Sequence, residues 1–150
     1  MEGAKVEPLQ GNIMKDKFGS SLGCIDGRTQ DAITSYIRET YGVNWVDQIT
    51  APGINRILAE NTDATEIQRI KRYLGISVHE HGSEIVVISG HPDCAGNPTT
   101  KEGQIEHLIE AFKTVEHFGF DVDIVLIWIN DDWKTVEEID YQLAKESQNA

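Results

Sequence analysis

The sequence predicts an α/β fold: a three-layer α/β/α sandwich around a mostly parallel central sheet of about four to five strands. Three observations carry the prediction. Strand-like and helix-like segments alternate along the chain. Two runs, Ile85-Val86-Val87-Ile88 and Ile124-Val125-Leu126-Ile127-Trp128-Ile129, are continuously apolar, as strands covered on both faces must be. Amphipathic helical segments lie between the strand-like ones, which gives βαβ units with right-handed crossovers.

Residues 1–17 are polar and read as an arm or a short helix. Ser20 to Ile25 reads as a buried strand that ends at Cys24. A helix is expected over Thr29 to Tyr41, where Ile33 and Ile37 are four apart and Gly42 is the stop. Val43 to Ile49 is a strand candidate, closed by the breaker Ala51-Pro52-Gly53. Asp63 with Glu66 makes a capping box for a helix that runs to about His81, with Ile67, Ile70, Leu74 and Val78 on its apolar face. Glu84 to Ser89 is the next strand, and Gly90 to Thr100 a loop rich in Gly, Pro and Asn. Glu102 to Phe118 forms another helix, its apolar face drawn from Ile105, Leu108, Ile109, Phe112 and Val115. Asp123 to Ile129 is a further buried strand. The segment from about 134 to 150 reads as a charged, loose tail.

The length of 150 residues suits one domain with a single core. A 39% hydrophobic share is normal for a globular chain. The formal net charge of −12 leaves no basic stripe to displace counterions, so no nucleic-acid partner is expected. No apolar run approaches the roughly 20 residues that span a bilayer, so no membrane partner is expected. Met1 to Gln10 carries Glu2, Lys5 and Glu7 and lacks the apolar stretch of a secretory signal. A cytoplasmic location is the resulting expectation.

Cys24-Ile25-Asp26-Gly27-Arg28 and His91-Pro92-Asp93-Cys94 contain both cysteines of the chain. Two thiolates and an imidazole are three good zinc ligands. A catalytic zinc uses three protein ligands and keeps the fourth position open, and soft sulfur favours zinc over magnesium or calcium. Cys24 closes one strand, and His91 and Cys94 lie just past another. In open α/β sheets ligands bind beyond the carboxyl ends of the strands, so the two motifs can converge on one metal. Two unrelated buried thiols are the plainer reading of the cysteines; a disulfide has no oxidising context to support it. Asp26 and Arg28 are spaced to lie on one side of a turn, where a guanidinium keeps a carboxylate ionised. A surface ion pair is the simpler alternative.

These strings resemble the β-class carbonic anhydrases. The resemblance extends to Gly75–Asn97 (GISVHEHGSEIVVISGHPDCAGN) and to Asp47–Asn55 (DQITAPGIN), although Ala51-Pro52-Gly53 stands where that family commonly has Ala-Gly-Asn. The resemblance implies one zinc ion per chain on Cys24, His91 and Cys94, and a catalytic dyad of Asp26 and Arg28. It implies zinc-dependent reversible hydration of carbon dioxide to bicarbonate, with zinc-bound hydroxide as nucleophile, and a homodimer or higher homo-oligomer. Hydrolysis of carbonyl sulfide or carbon disulfide on the same zinc is the alternative substrate reading. A non-catalytic zinc-binding protein is the alternative from another class. Of the remaining residues, His79 and His81 are expected at the surface or at a helix C-terminus, Asp93 in turn chemistry, and Trp128 and Trp133 in core or interface. Asn97 is a candidate for holding the loop after Cys94.

Overall fold

The computed structural model describes residues 16–148. The expected arm lies outside the described residues except for Asp16 and Lys17. Five strands and five helices follow one another as β1 (Phe18–Gly23), α1 (Gln30–Tyr41), β2 (Trp45–Thr50), α2 (Ile54–Glu60), α3 (Ala64–His79), β3 (Ile85–Gly90), α4 (Lys101–His117), β4 (Asp123–Ile129), β5 (Val136–Ile139) and α5 (Tyr141–Gln148). The sheet order is β2-β1-β3-β4-β5. The first four strands are parallel, and β5 runs antiparallel to β4. This is the α/β/α sandwich with a mostly parallel sheet that the alternation predicts.

Strand periodicity divides the core. Leu22, Val86, Ile88 and Leu126 point to one face, where α2, α3 and α4 bury Leu58, Ile70, Leu74 and Leu108. Ile85, Val87, Ile127 and Ile129 point to the other, where α1 supplies Ala32, Ile33 and Ile37. Successive side chains of a strand alternate faces, so a continuously apolar run has to be covered on both. In β1 the small residues matter. A Cβ on Gly19 would sit 2.9 Å from Ile37 Cγ2, so glycine lets α1 approach the sheet. Ser20 is fully buried and bonds the hydroxyls of Ser77 and Ser83 at 2.6 and 2.8 Å, which satisfies a polar group inside the core.

Helix ends follow local chemistry. Gly42 takes a φ of 65° and its N–H closes α1 on the Arg38 carbonyl. Asp63 caps α3 by accepting from the Glu66 N–H, as the capping box predicts. The buried stripe of α4 keeps Leu108, Ile109 and Val115 of the expected one and adds Gln104 and Ala111, while Ile105 and Phe112 are half-buried.

The C-terminal segment differs most from expectation. It is ordered as β5 and α5. β5 pairs with β4 from Leu126↔Ile139 to Ile129↔Val136. Its Val-Glu-Glu-Ile sequence reads as polar because it is an edge strand, where exposed charge blocks unwanted pairing. Tyr141 of α5 stacks on Phe112 of α4, ring centroids 3.8 Å apart. Among the described residues no helix is long and apolar enough to cross a membrane. Replacing Tyr141 with Ala is expected to lower stability by about 1 kcal/mol, the usual worth of an aromatic pair. Urea denaturation checks this, and a loose tail would give no change.

Candidate metal centre

β1 and β3 are sheet neighbours and parallel, so the loops leaving their carboxyl ends run side by side. Cys24 directly follows β1 and His91 directly follows β3. Cys94 comes on the next tight turn, where the Asn97 N–H bonds the Cys94 carbonyl at 3.2 Å. One donor atom from each of Cys24, His91 and Cys94 lies within 4.8 Å of the others, and all three residues are buried.

The two sulfurs are 3.8 Å apart, far beyond a disulfide bond of ~2.05 Å. Two thiolates on one tetrahedral zinc, each at ~2.3 Å, are themselves separated by ~3.8 Å. His91 Nδ1 is 2.8 Å from the Pro92 carbonyl. A carbonyl only accepts, so Nδ1 carries the proton and Nε2 carries the free lone pair. Nε2 is buried and has no hydrogen-bond partner, a costly state for a polar atom. An imidazole that donates one N–H to a carbonyl and offers its other nitrogen is the usual arrangement of a metal ligand. Hydrogen bonding from the Cys94 thiol, opposed by burial, holds the Cys24 thiol well below its ordinary range. Cys94, as the donor, is pushed up. Two sulfurs, one imidazole and no fourth protein donor among the described residues fit a zinc ion with an open position.

Surrounding backbone holds the donors in place. The Gly53 N–H points at Cys24 Sγ, 3.5 Å away. Gly53 has a φ of 60°, and a Cβ on Gly96 would lie 2.5 Å from Gly53 N. The Ala51-Pro52-Gly53 breaker is therefore a wall of the site, in backbone contact with the ligand loop. Gln104 clamps His91 from α4: its Oε1 accepts from His91 N at 3.2 Å and its Nε2 donates to His91 O at 2.6 Å. Asn55 donates to Gln104 at 3.1 Å, and Asn97 donates to Asn55 at 3.1 Å. Sequence reasoning gave Gln104 and Asn55 no role. The available signal was a glutamine four residues before Leu108, on the helix face that packs inward.

Asp26 and Arg28 meet beside this cluster. Arg28 donates through Nε to Asp26 Oδ1 at 3.1 Å and through a terminal nitrogen to Oδ2 at 2.7 Å. The Asp26 carboxylate also caps a short 3-10 turn over Gly27–Thr29, taking the Arg28 N–H at 2.9 Å. The hydrogen-bonded guanidinium holds the Asp26 carboxyl at about 2, below its ordinary value. Arg28 reaches Asp93 as well, at 3.3 Å to the carboxylate and 3.2 Å to the carbonyl. Asp93 thus does more than turn chemistry. Asp26, Arg28, Asp93, Cys94, Pro98 and Thr99 line a cavity of about 450 Å³. Trp133 lies at the site, its ring 4.2 Å from the Arg28 guanidinium and 5.9 Å from the His91 ring. His81 instead pairs with Asp47 at 2.7 Å, and His79 packs on Phe120. Asn97 does anchor its loop, through Asn55 and through His107 Nδ1 at 2.9 Å.

A fold of this kind with such a donor set defines an α/β protein with a candidate metal site, and the comparisons give its family. Residues 14–140 match the family model described as "Putative carbonic anhydrase". The chain belongs to the carbonic anhydrase family and carries the β-carbonic anhydrase fold. Its structure is similar to β-carbonic anhydrase isoform I of Trichomonas vaginalis, with a TM-score of 0.56 and 16% identity over 80% of this chain and 81% of that one. It is also similar to a carbonic anhydrase of Streptococcus mutans, with a TM-score of 0.50 and 19% identity over 81% of each chain. A search of curated proteins finds no match.

Replacing Gly96 with Ala is expected to cost about 1–3 kcal/mol, because the new methyl meets backbone that cannot yield. The same change should loosen retention of added zinc. Denaturation midpoints and zinc titration of the variant check both effects.

Proposed function

We propose that this chain holds one zinc ion on Cys24, His91 and Cys94 and catalyses the reversible hydration of carbon dioxide to bicarbonate. One observation carries the reading. The unpartnered, buried Nε2 of His91 is clustered with two sulfurs spaced for a shared ion, next to an aligned Asp26–Arg28 pair. Zinc bound there would supply Lewis acidity that lowers the pKa of water towards neutrality, chemistry for which carbonic anhydrase is itself the standard case.

The chain's own residues then have distinct tasks. Asp26 is ionised at any working pH and can only accept hydrogen bonds, so it orients the proton of an attacking water. Arg28 fixes that carboxylate with a two-pronged contact and sets positive charge where the product's negative charge develops. Burial of the three ligands keeps bulk water off the donors and strengthens these interactions.

Stopped-flow carbon dioxide hydration at about pH 8.5, on protein of measured zinc content, tests the reading. Asp26→Ala should keep stoichiometric zinc and lose turnover by ~10²-fold or more. Parent-like turnover in that variant would remove the dyad from the mechanism. Full zinc without turnover in the parent would reject hydration, leaving the sulfur-containing substrates or a non-catalytic role.

The reading carries a homodimer or higher homo-oligomer acting in the cytoplasm. Ile25, between Cys24 and Asp26, is 58% exposed beside the site, and a second copy lying over it would take that apolar surface out of water. Light scattering should show a species larger than the 16.8 kDa chain. A monomer at every concentration would overturn the assembly.

A further inference from the structure

The loop after β1 fixes one edge of the Arg28 guanidinium, against Asp26. The face of that group is covered from elsewhere, by the turn between β4 and β5. There Trp133 has a φ of 60°, a left-handed conformation rare for so bulky a residue. The turn is built to hold it. Asp132 Oδ1 accepts from the Lys134 and Thr135 N–H groups at 2.9 and 2.8 Å, and the Trp133 N–H bonds the Asn130 carbonyl at 2.9 Å. The half-buried indole then lies 4.2 Å from the guanidinium carbon. Asp93, itself at a φ of 54°, meets the same guanidinium from the ligand loop. Arg28, whose side chain is 45% exposed, is thereby held by a carboxylate on one edge, by the ligand loop on another and by an aromatic ring over one face.

An indole over a guanidinium attracts the cation and sheds water from one of its faces. A less hydrated guanidinium binds a carboxylate more firmly. The same indole flanks the ring of His91. Packing alone would place this tryptophan against the second core layer, that of Ala32, Ile33 and Ile129, but packing alone does not require contact with both groups.

We infer that Trp133 is a positioning residue, acting through Arg28 to keep the guanidinium fork on Asp26 and closing one side of the metal site beside His91. The kinetic consequence rests on the proposed function, whereas the hold on Arg28 does not.

The test uses the full zinc-loaded chain and the variants Trp133→Ala, Trp133→Leu and Trp133→Phe, each with its zinc content measured. One readout is kcat and KM for carbon dioxide hydration. The other is the Arg28 Nε–H resonance of ¹⁵N-labelled protein, assigned with Arg28→Lys, which senses the indole ring current and the bond to Asp26 without any turnover. Trp133→Ala should lower kcat about tenfold, as loss of an outer contact to a metal site does, with full zinc. It should also shift the Arg28 signal and speed its exchange with water. Trp133→Phe keeps an aromatic face and should retain most of both. Trp133→Leu keeps bulk without that face and should resemble the alanine variant. In an Arg28→Ala background, Trp133→Ala should add no further loss. An unmoved Arg28 signal in Trp133→Ala overturns the inference, and so does parent-like kcat in Trp133→Leu. If alanine prevents folding, the leucine and phenylalanine variants decide by the same criteria. A parent that hydrates no carbon dioxide sinks the proposed function, while the Arg28 signal still decides the hold on that side chain.

Discussion

The parallel pairing of β1 with β3, Ser20↔Val86 through Leu22↔Ile88, is the constraint on which the rest of the structure depends. It sets Cys24 and His91 at the same end of adjacent strands, so that donors far apart in sequence meet without any long loop. A slip of one residue would turn every side chain of β1 to the opposite face. The register is guarded by what each face requires. Ser20 must reach Ser77 and Ser83, and Leu22 must enter the larger apolar layer. The small residues of β1, which make it a weak strand by propensity, are those that let helices and neighbouring strands close around it.

What the sequence disclosed and what it hid have physical reasons. The clustering of Cys24, His91 and Cys94 was legible because thiols are scarce in this chain and each lies within two residues of an aspartate. β3 and β4 were legible because a doubly covered strand has no polar side to confuse the pattern. α2 was not, being two turns long and started by a glycine in left-handed conformation rather than by a capping side chain. β5 was hidden by its edge position, where charge is useful and periodicity faint. Gln104 and Trp133 were hidden for a different reason. Their partners are the backbone of His91 and the guanidinium of Arg28, which lie on other elements. A residue whose role is to hold something brought near by folding carries no local signature of that role.

The site concentrates polar groups where a core would normally exclude them. Asn55, Gln104 and Asn97 are nearly or fully buried, and each has its partners. Such a network is stiff because every member fixes the next. Within it one nitrogen, His91 Nε2, is left unsatisfied. Rigid support around a single open donor is the condition under which a ligand finds geometry prepared in advance. The backbone contact of Gly53 with Gly96 adds to that stiffness, because no side chain lies between the two loops to act as a cushion.

The two sulfurs that nearly touch are 70 positions apart along the chain. A single ion gripping both would tie the first strand to the segment beyond the third. A cross-link enclosing a loop of that length restricts the unfolded chain by an entropy worth ~4 kcal/mol. Metal clips stabilise by this route more strongly the longer the loop they close. What a bound ion would contribute to the folded chain would therefore depend less on the number of its donors than on how much polymer lies between them. With an ion bound, the same 70 positions that separate the sulfurs would make the site a fastener for half the molecule.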